Sequence, residues 1–513
     1  MILKTFLEHE ILNLIKSSRI YLSVIMFLLL YVSIFVVRVL DYQKQTNQYL
    51  ADVRQADEVM QNPDNYSHIN PRAIHHTSIF SIFNQGYRFN RVINIQFYEP
   101  IDRSITFNEE RNRLYLENSQ IDITFLVTFF LSLFILLITY DCVNGEKRSG
   151  TLRVLMTYPF KRQSYVLKKI LGAFIFVSFT FSVPYTLSLI SLIVIYSNLL
   201  TGSFFLSAFF YWFLVLLFII FFTLIGILIS ICSSYPNRSL VYSLFIWLLL
   251  SILLPVSWDY IISPKLFDNS LTQLQQIHTD KKNIANDLFW NPPPEVKPGG
   301  MYLMHTGSHF YNSKIFSDQN TYDTHYRFQK YLYENYYPAT KVAELAIDDV
   351  IRKRLTIENT KNWIFFFNPI LLFEDISRKI TGNSRGDYLR FLHDGRLIRD
   401  DLVNRGIQEG WLMDYRFFAM FQDEHLFESE QMQALWQRAM KEGVGSVFLD
   451  ILAFMENSEK FKFEMPTIRR YTQPNFSFSE IFGKIAIVLT IFVFSILILW
   501  ILTWIKFMKY DVR

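Results

Sequence analysis

Few side chains in this 513-residue sequence stand at spacings that could do chemistry. His305 and His309 lie four residues apart in His-Thr-Gly-Ser-His, with His325 downstream, and on one helix face such a pair could share a metal ion. Gly307 between them weakens a helix there, which favours solvated loop histidines. His75-His76 is a weaker candidate still. No His-Glu-x-x-His or paired-cysteine pattern occurs, so no metal site is expected. Serines near the histidines lack a nucleophile-elbow context, which argues against a hydrolase. The Gly-x-x-x-x-Gly-Lys-Ser/Thr phosphate loop is missing too, so the chain is expected to hydrolyse no ATP itself.

The informative residues are polar and basic, and they lie at 140–169 between two charge-free runs. Each run is long enough to cross a bilayer, so both ends of the stretch emerge from one membrane face. Lys147, Arg148, Arg153, Lys161, Arg162, Lys168 and Lys169 outnumber Asp141 and Glu146, and such an excess in a short loop is retained in the cytoplasm. Charge alone makes this a solvated loop facing lipid headgroups.

Its wording says more. Glu146, Lys147-Arg148, Gly150-Thr151-Leu152, Pro159, Lys161-Arg162 and Lys168 follow in an order that resembles the cytoplasmic loop of ABC-2-type ABC transporter permeases. The resemblance implies a short helix that docks on a separate ABC ATPase subunit, where ATP and magnesium are held, with no cofactor in this chain. The expected coupling residues are Glu146, Lys147, Arg148, Gly150, Thr151, Leu152, Leu155, Pro159, Arg162 and Lys168. Leu152, Val154, Leu155 and Met156 would form the face inserted into a groove, with the charges as its rim.

The elements that must carry this loop follow from composition. A chain that is 51% hydrophobic, 17% aromatic and 19% charged is too apolar for a soluble multidomain protein and too charged to be membrane throughout. The expected fold is mainly α: a polytopic membrane protein with six transmembrane helices and a mostly helical extracytoplasmic domain between spans five and six. Residues 1–19 have the periodicity of an interfacial amphipathic helix, and no cleavable signal peptide is evident. The spans are expected at 20–38, 123–140, 170–196, 204–231, 239–258 and 485–505. Pro184 should kink span three, and Gly226 permits close helix approach in span four. A small extracytoplasmic segment at 41–120 includes a strand-like run at 87–98, and the large domain occupies 259–480. Helical periodicity within it covers 266–288, 322–355 and 429–461. Residues 141–169 form the coupling loop and 506–513 a cytoplasmic tail. The net charge of +4 is small and the basic residues cluster beside the spans, so no nucleic-acid surface is expected. Cys142 and Cys232 both fall at cytoplasmic ends of spans, which leaves the outer domain without a disulfide.

A second stretch, Asn368-Pro369-Ile370-Leu371-Leu372-Phe373-Glu374-Asp375-Ile376-Ser377 followed by Thr381-Gly382-Asn383 and Tyr388-Leu389-Arg390-Phe391, is similar to the DUF3526 subgroup of these permeases. It reads Thr-Gly-Asn where the subgroup has Gly-Thr-Asp, and no functional residue is carried over from it. Together the resemblances imply a permease subunit of an ATP-driven exporter, dimeric with itself or a sister permease, in the bacterial cytoplasmic (inner) membrane with both termini inside. Spans without charge disfavour an ion-coupled transporter and suit a lipidic or amphiphilic cargo. Two other readings predict different partners. A mechanotransmitter would drive an extracytoplasmic partner without transport, and a membrane-anchored binding protein would have no ATPase.

Overall fold

The computed structural model describes residues 17–61, 69–86, 91–101, 121–157, 162–197, 200, 202–296, 326–364, 366, 368–413, 430–442, 447, 450, 453–454, 468, 471 and 478–509. His305, His309, His325, Pro159 and the amphipathic stretch at 1–16 lie outside them.

Charge-free runs become helices because a backbone in lipid must satisfy its own hydrogen bonds. In chain order the helices are α1 (Ser18–Gln61), α2 (Ile123–Phe125, the π-helical turn Leu126–Leu131 and Ser132–Thr139), α3 (Asn144–Ser149), α4 (Thr151–Thr157), α5 (Arg162–Ile195) and α6 (Gly202–Cys232). There follow α7 (Pro236–Trp290), α8 (the π-helical turn Leu332–Tyr336 and Tyr337–Ile364), α9 (Pro369–Thr381), α10 (Arg385–Gln408), α11 (Glu430–Glu442) and α12 (Phe478–Met508). Among the described residues six helices are long and apolar enough to cross a membrane, and α1, α2, α5, α6, α7 and α12 carry them.

Two of these, α1 and α7, run far past the expected ends of their spans. α1 continues for 44 residues to Gln61, because residues 41–61 contain neither proline nor glycine, so the first part of the 41–120 segment is a helical extension. α7 continues from the fifth span to Trp290 despite Pro255 and Pro264. A π-helical turn precedes each proline: the Leu254 N–H reaches back to the Leu249 carbonyl, and the Ser263 N–H to that of Trp258. Pro255 has no N–H for the next carbonyl, Leu250, and the Asn368 side chain donates to it instead at 3.0 Å.

α6 is apolar all round and packs against α2, α5, α9 and α12, whereas α1 and α7 lie at the rim with broad exposed apolar faces. Gly226 makes the tight crossing: a Cβ there would stand 2.8 Å from Cβ of Thr139 on α2. Tyr31 of α1 bonds Ser188 of α5 at 2.8 Å, and the Tyr185 hydroxyl of α5 donates to the Ala208 carbonyl of α6 at 2.8 Å.

The far half of α7 pairs antiparallel with α8, where the Tyr331 hydroxyl donates to the Leu288 carbonyl and Lys353 stands over the Phe267 ring. The short strands β1 (Arg72–Ile74) and β2 (Val92–Asn94) pair antiparallel with Ala73 opposite Ile93, which places a strand inside the expected run at 87–98. Two further cores hold this region, one around Tyr336, Leu402 and Trp411 and one around Ile93, Phe391 and Leu392. Buried ions tie them together. Arg399 of α10 makes bonds of 2.6 and 3.0 Å to Glu344 of α8 and one of 3.0 Å to the Glu99 carbonyl, while Glu344 also accepts the Ile101 N–H.

One helix from the expected outer domain lies elsewhere. α9 joins the same apolar core as the spans, with Phe373 5.0 Å from Phe218 of α6, and Ser207 of α6 donates to the Ile380 carbonyl. Its nearly continuous apolar run, Ile370-Leu371-Leu372-Phe373 and Ile376, is buried, while Glu374, Asp375, Arg378 and Lys379 pair with each other on its more open face.

Candidate functional site

The loop expected to do the coupling is a compact hairpin continuous with α2. Gly150 ends α3 in the left-handed region at φ 76, a conformation that favours glycine, and α4 starts at the next residue. Its start is capped from a neighbouring helix, since the Ser230 hydroxyl of α6 accepts the N–H groups of Val143 (3.0 Å) and Asn144 (3.2 Å).

Three helices hold the hairpin, and a fourth is reached through one of them. The Glu146 carboxylate accepts the Tyr165 hydroxyl on one oxygen and pairs with Lys169 Nζ through the other, both partners lying on the first turns of α5. Lys147 Nζ donates to the Ile231 carbonyl at the end of α6. Ser239 of α7 donates to the Tyr140 carbonyl at 2.6 Å. The Tyr165 ring stacks on Phe507 of α12 at 5.4 Å and 17° between planes, so the contact made by Glu146 extends to the last apolar helix.

The expected coupling residues therefore divide into two sets. Glu146, Lys147, Lys168 and Leu152 turn inward, and Leu152 is 2% exposed within the main core. Arg148, Thr151 and Arg162 are exposed, together with Ser149, Arg153, Val154, Thr157 and Gln163. The apolar groove-filling face needs correction. Leu152, Leu155 and Met156 share one helical face, at i, i+3 and i+4, and pack on the protein's own core. Of the four apolar residues named for that face only Val154 points out, at 60% exposed. The outward surface is thus basic and polar, with one apolar point.

Sequence reasoning missed Ser230, Tyr165 and Phe507. A signal was present for Tyr165: it stands four residues before Lys169, so both side chains reach Glu146 from one face of α5. Nothing local marks Ser230, whose role depends on the α2–α6 crossing.

The remaining candidates for chemistry give a different picture. His75 packs between the rings of Phe391 and Tyr471, at 5.4 and 6.4 Å, and burial, with Arg91 nearby, pushes it down to about 4, so it is neutral near pH 7. His76 sits against Tyr49 with ring centroids 4.6 Å apart. Among the described residues no three His, Cys, Asp or Glu side chains gather as a metal site, and neither Cys142 nor Cys232 is in a disulfide.

Comparison with known proteins agrees with this architecture. Residues 5–322 match the family described as ABC-2 family transporter protein. Over 50 residues the chain is 46% identical to the probable ABC transporter permease protein NosY of Pseudomonas aeruginosa, covering 10% of this chain and 18% of that protein. Over 47 residues it is 45% identical to the NosY protein of Stutzerimonas stutzeri, covering 9% and 17%. The matched stretches span less than a fifth of these curated relatives. A family match over more than half of the chain, on a mainly α-helical protein whose described residues include six apolar helices of membrane-crossing length, shows that it belongs to the ABC-2 transporter family, as a multi-pass membrane protein.

Proposed function

We propose that this chain is the membrane-spanning subunit of an ATP-driven exporter, and that a separate ATPase subunit docks on the α3–α4 hairpin. The observation that carries this reading is the division within the hairpin. Its inner residues bond it to α5 and α6, Ser239 of α7 bonds the Tyr140 carbonyl just before it, and Tyr165 of α5 passes the contact on to α12, while Arg148, Thr151, Arg153 and Val154 stand outward at the end of the helices. A force applied to that outer surface would be shared among four apolar helices. The basic excess around the hairpin supports a cytoplasmic position for it and for both termini, in a bacterial cytoplasmic membrane. Two copies, or one copy and a sister permease, would complete the assembly. The stretch at 368–391 supports the DUF3526 subgroup, and uncharged, aromatic spans favour a lipidic or amphiphilic cargo.

The placement is tested with Thr151→Cys in a chain whose Cys142 and Cys232 are replaced by serine. A membrane-impermeant maleimide should reach it only from the cytoplasmic side. Labelling from outside intact cells would overturn the orientation and the docking with it.

A second reading has its own support. Because α9 is packed among the spans and continues into α10, helix movement has a direct mechanical route to the large domain, as a mechanotransmitter requires. ATP-driven flux of labelled lipid into sealed vesicles favours export. Movement of the large domain without any flux favours the mechanotransmitter.

A further inference from the structure

A short segment of the first polar region is buried where the helices meet at the end away from the hairpin. Ser78 caps a 3-10 turn, Ile79–Ile82, and every residue from Ile79 to Gln85 is 5% exposed or less. Phe80 and Phe83 lie 5.6 and 5.8 Å from the Tyr211 ring of α6, and Phe83 lies 5.2 Å from Tyr185 of α5. Apolar filling alone would explain the aromatic side chains. It does not explain the polar bonds that tie the segment to three separate elements.

Toward α2, the Phe83 carbonyl accepts both the N–H and the hydroxyl of Thr124 at 3.1 Å, and the Gln85 N–H donates to Asp122 at 3.2 Å. Toward α1, Arg38 donates to the Gln85 side chain (2.9 Å) and the Ser81 carbonyl (3.2 Å) while pairing with Asp41. Toward α9, the Asn84 amide donates to the Ser377 hydroxyl at 2.6 Å, and that hydroxyl is 3.2 Å from Thr124 Oγ1. Gly86, at φ +64, passes so close to Asn383 that a Cβ would stand 2.6 Å from the Asn383 Cβ. α9 leads directly into α10, which opens on the Ser384–Asp387 capping box, and Asp387 is paired with Lys484 of α12 at 2.6 Å.

We propose that residues 79–86 are a buried adaptor that passes movement of α2 to α9 and α10, and so joins the hairpin to the large domain; this rests on the docking reading for the source of the movement. The physical reason is that slippage at this joint would strand several buried donors and acceptors at once. In an apolar setting that costs more than carrying the neighbouring element along. Thr124 and Ser377 are positioning residues at the joint, where α2, the adaptor and α9 meet.

A double-mutant cycle on the full chain in nanodiscs tests this without any ATPase. Glu146→Gln loosens the hairpin end of α2, and amide hydrogen exchange is read in residues 369–408. The expected result is a rise of roughly twofold or more in exchange there, which disappears in a Thr124→Val/Ser377→Ala background. Arg38→Met, which frees the adaptor from α1 alone, should leave the response in place and controls for general loosening. The same rise in both backgrounds, no rise in either, or loss of the response with Arg38→Met as well would overturn the adaptor. Failure to bind an ATPase would sink the docking reading and leave this result standing, so the two failures are distinguishable.

Discussion

At its hairpin end α2 runs into a surface where Arg148, Thr151, Arg153 and Val154 stand out, over an inner layer of Glu146, Lys147 and Leu152. At its other end Asp122 and Thr124 are buried, and every described neighbour from Ile79 to Gln85 is buried with them. Both ends use the same kind of bond, in which a side chain from one element satisfies the backbone of another. Ser230 accepts the N–H groups that begin α3, and the Phe83 carbonyl accepts Thr124. What differs is what lies beyond the bond. The hairpin end leaves charge facing outward, and the opposite end consumes its polar groups internally, which suits an inlet and a joint respectively.

The comparison can be broken most severely at Gly226, because a larger side chain there meets α2 at Thr139. Gly226→Leu should destabilise both ends together, by about 3 kcal/mol or more of overpacking, seen as loss of monodisperse protein and a lower Tm in detergent. Next comes the acid response of the buried end. Burial pushes Asp122 up to about 6, against the N–H bonds from Phe125 and Gln85 and the nearby Arg38. A carboxyl raised in the folded state contributes stability that is full below its unfolded value and lost as pH rises through the folded one. Wild-type protein should therefore lose on the order of 2–3 kcal/mol between about pH 4 and pH 7 that Asp122→Asn does not lose, measured as the difference between their urea midpoints. Arg38→Met leaves Asp41 and Gln85 without their guanidinium and should cost about 2 kcal/mol, with no change in ATPase binding at the other end. Smallest is Tyr165→Phe, which keeps the ring stack on Phe507 and removes one bond to Glu146, for about 1 kcal/mol in Tm measurements and a weaker ATP-hydrolysis response.

The two ends also differ in how far they could be read in advance. Spans were legible because a bilayer demands long runs without charge, and the hairpin because Glu146 through Lys168 keep an order that single residues do not have. The inward turn of Leu152 was not, since an apolar face on a short helix looks the same whether it meets a partner or its own core. The length of α7 was hidden by Pro255 and Pro264, which ordinarily stop a helix and here follow π-helical turns. The adaptor did leave a trace, the apolar run Ile79-Phe80-Ser81-Ile82-Phe83 inside a polar segment. Its partners on α2 and α9 are distant in sequence, with Ser377 bonding to Asn84 across 293 positions, and no local pattern encodes such a meeting.

The most direct test of the central claim is the surface of the hairpin. With Arg148→Glu/Arg153→Glu, charge reversal should remove the nucleotide-hydrolysing subunit from the purified complex and abolish its stimulated ATP hydrolysis, while the Tm of the membrane chain is unchanged because neither side chain is packed in its core. An ATPase that remains bound at wild-type stoichiometry and activity in that variant would contradict docking on this hairpin.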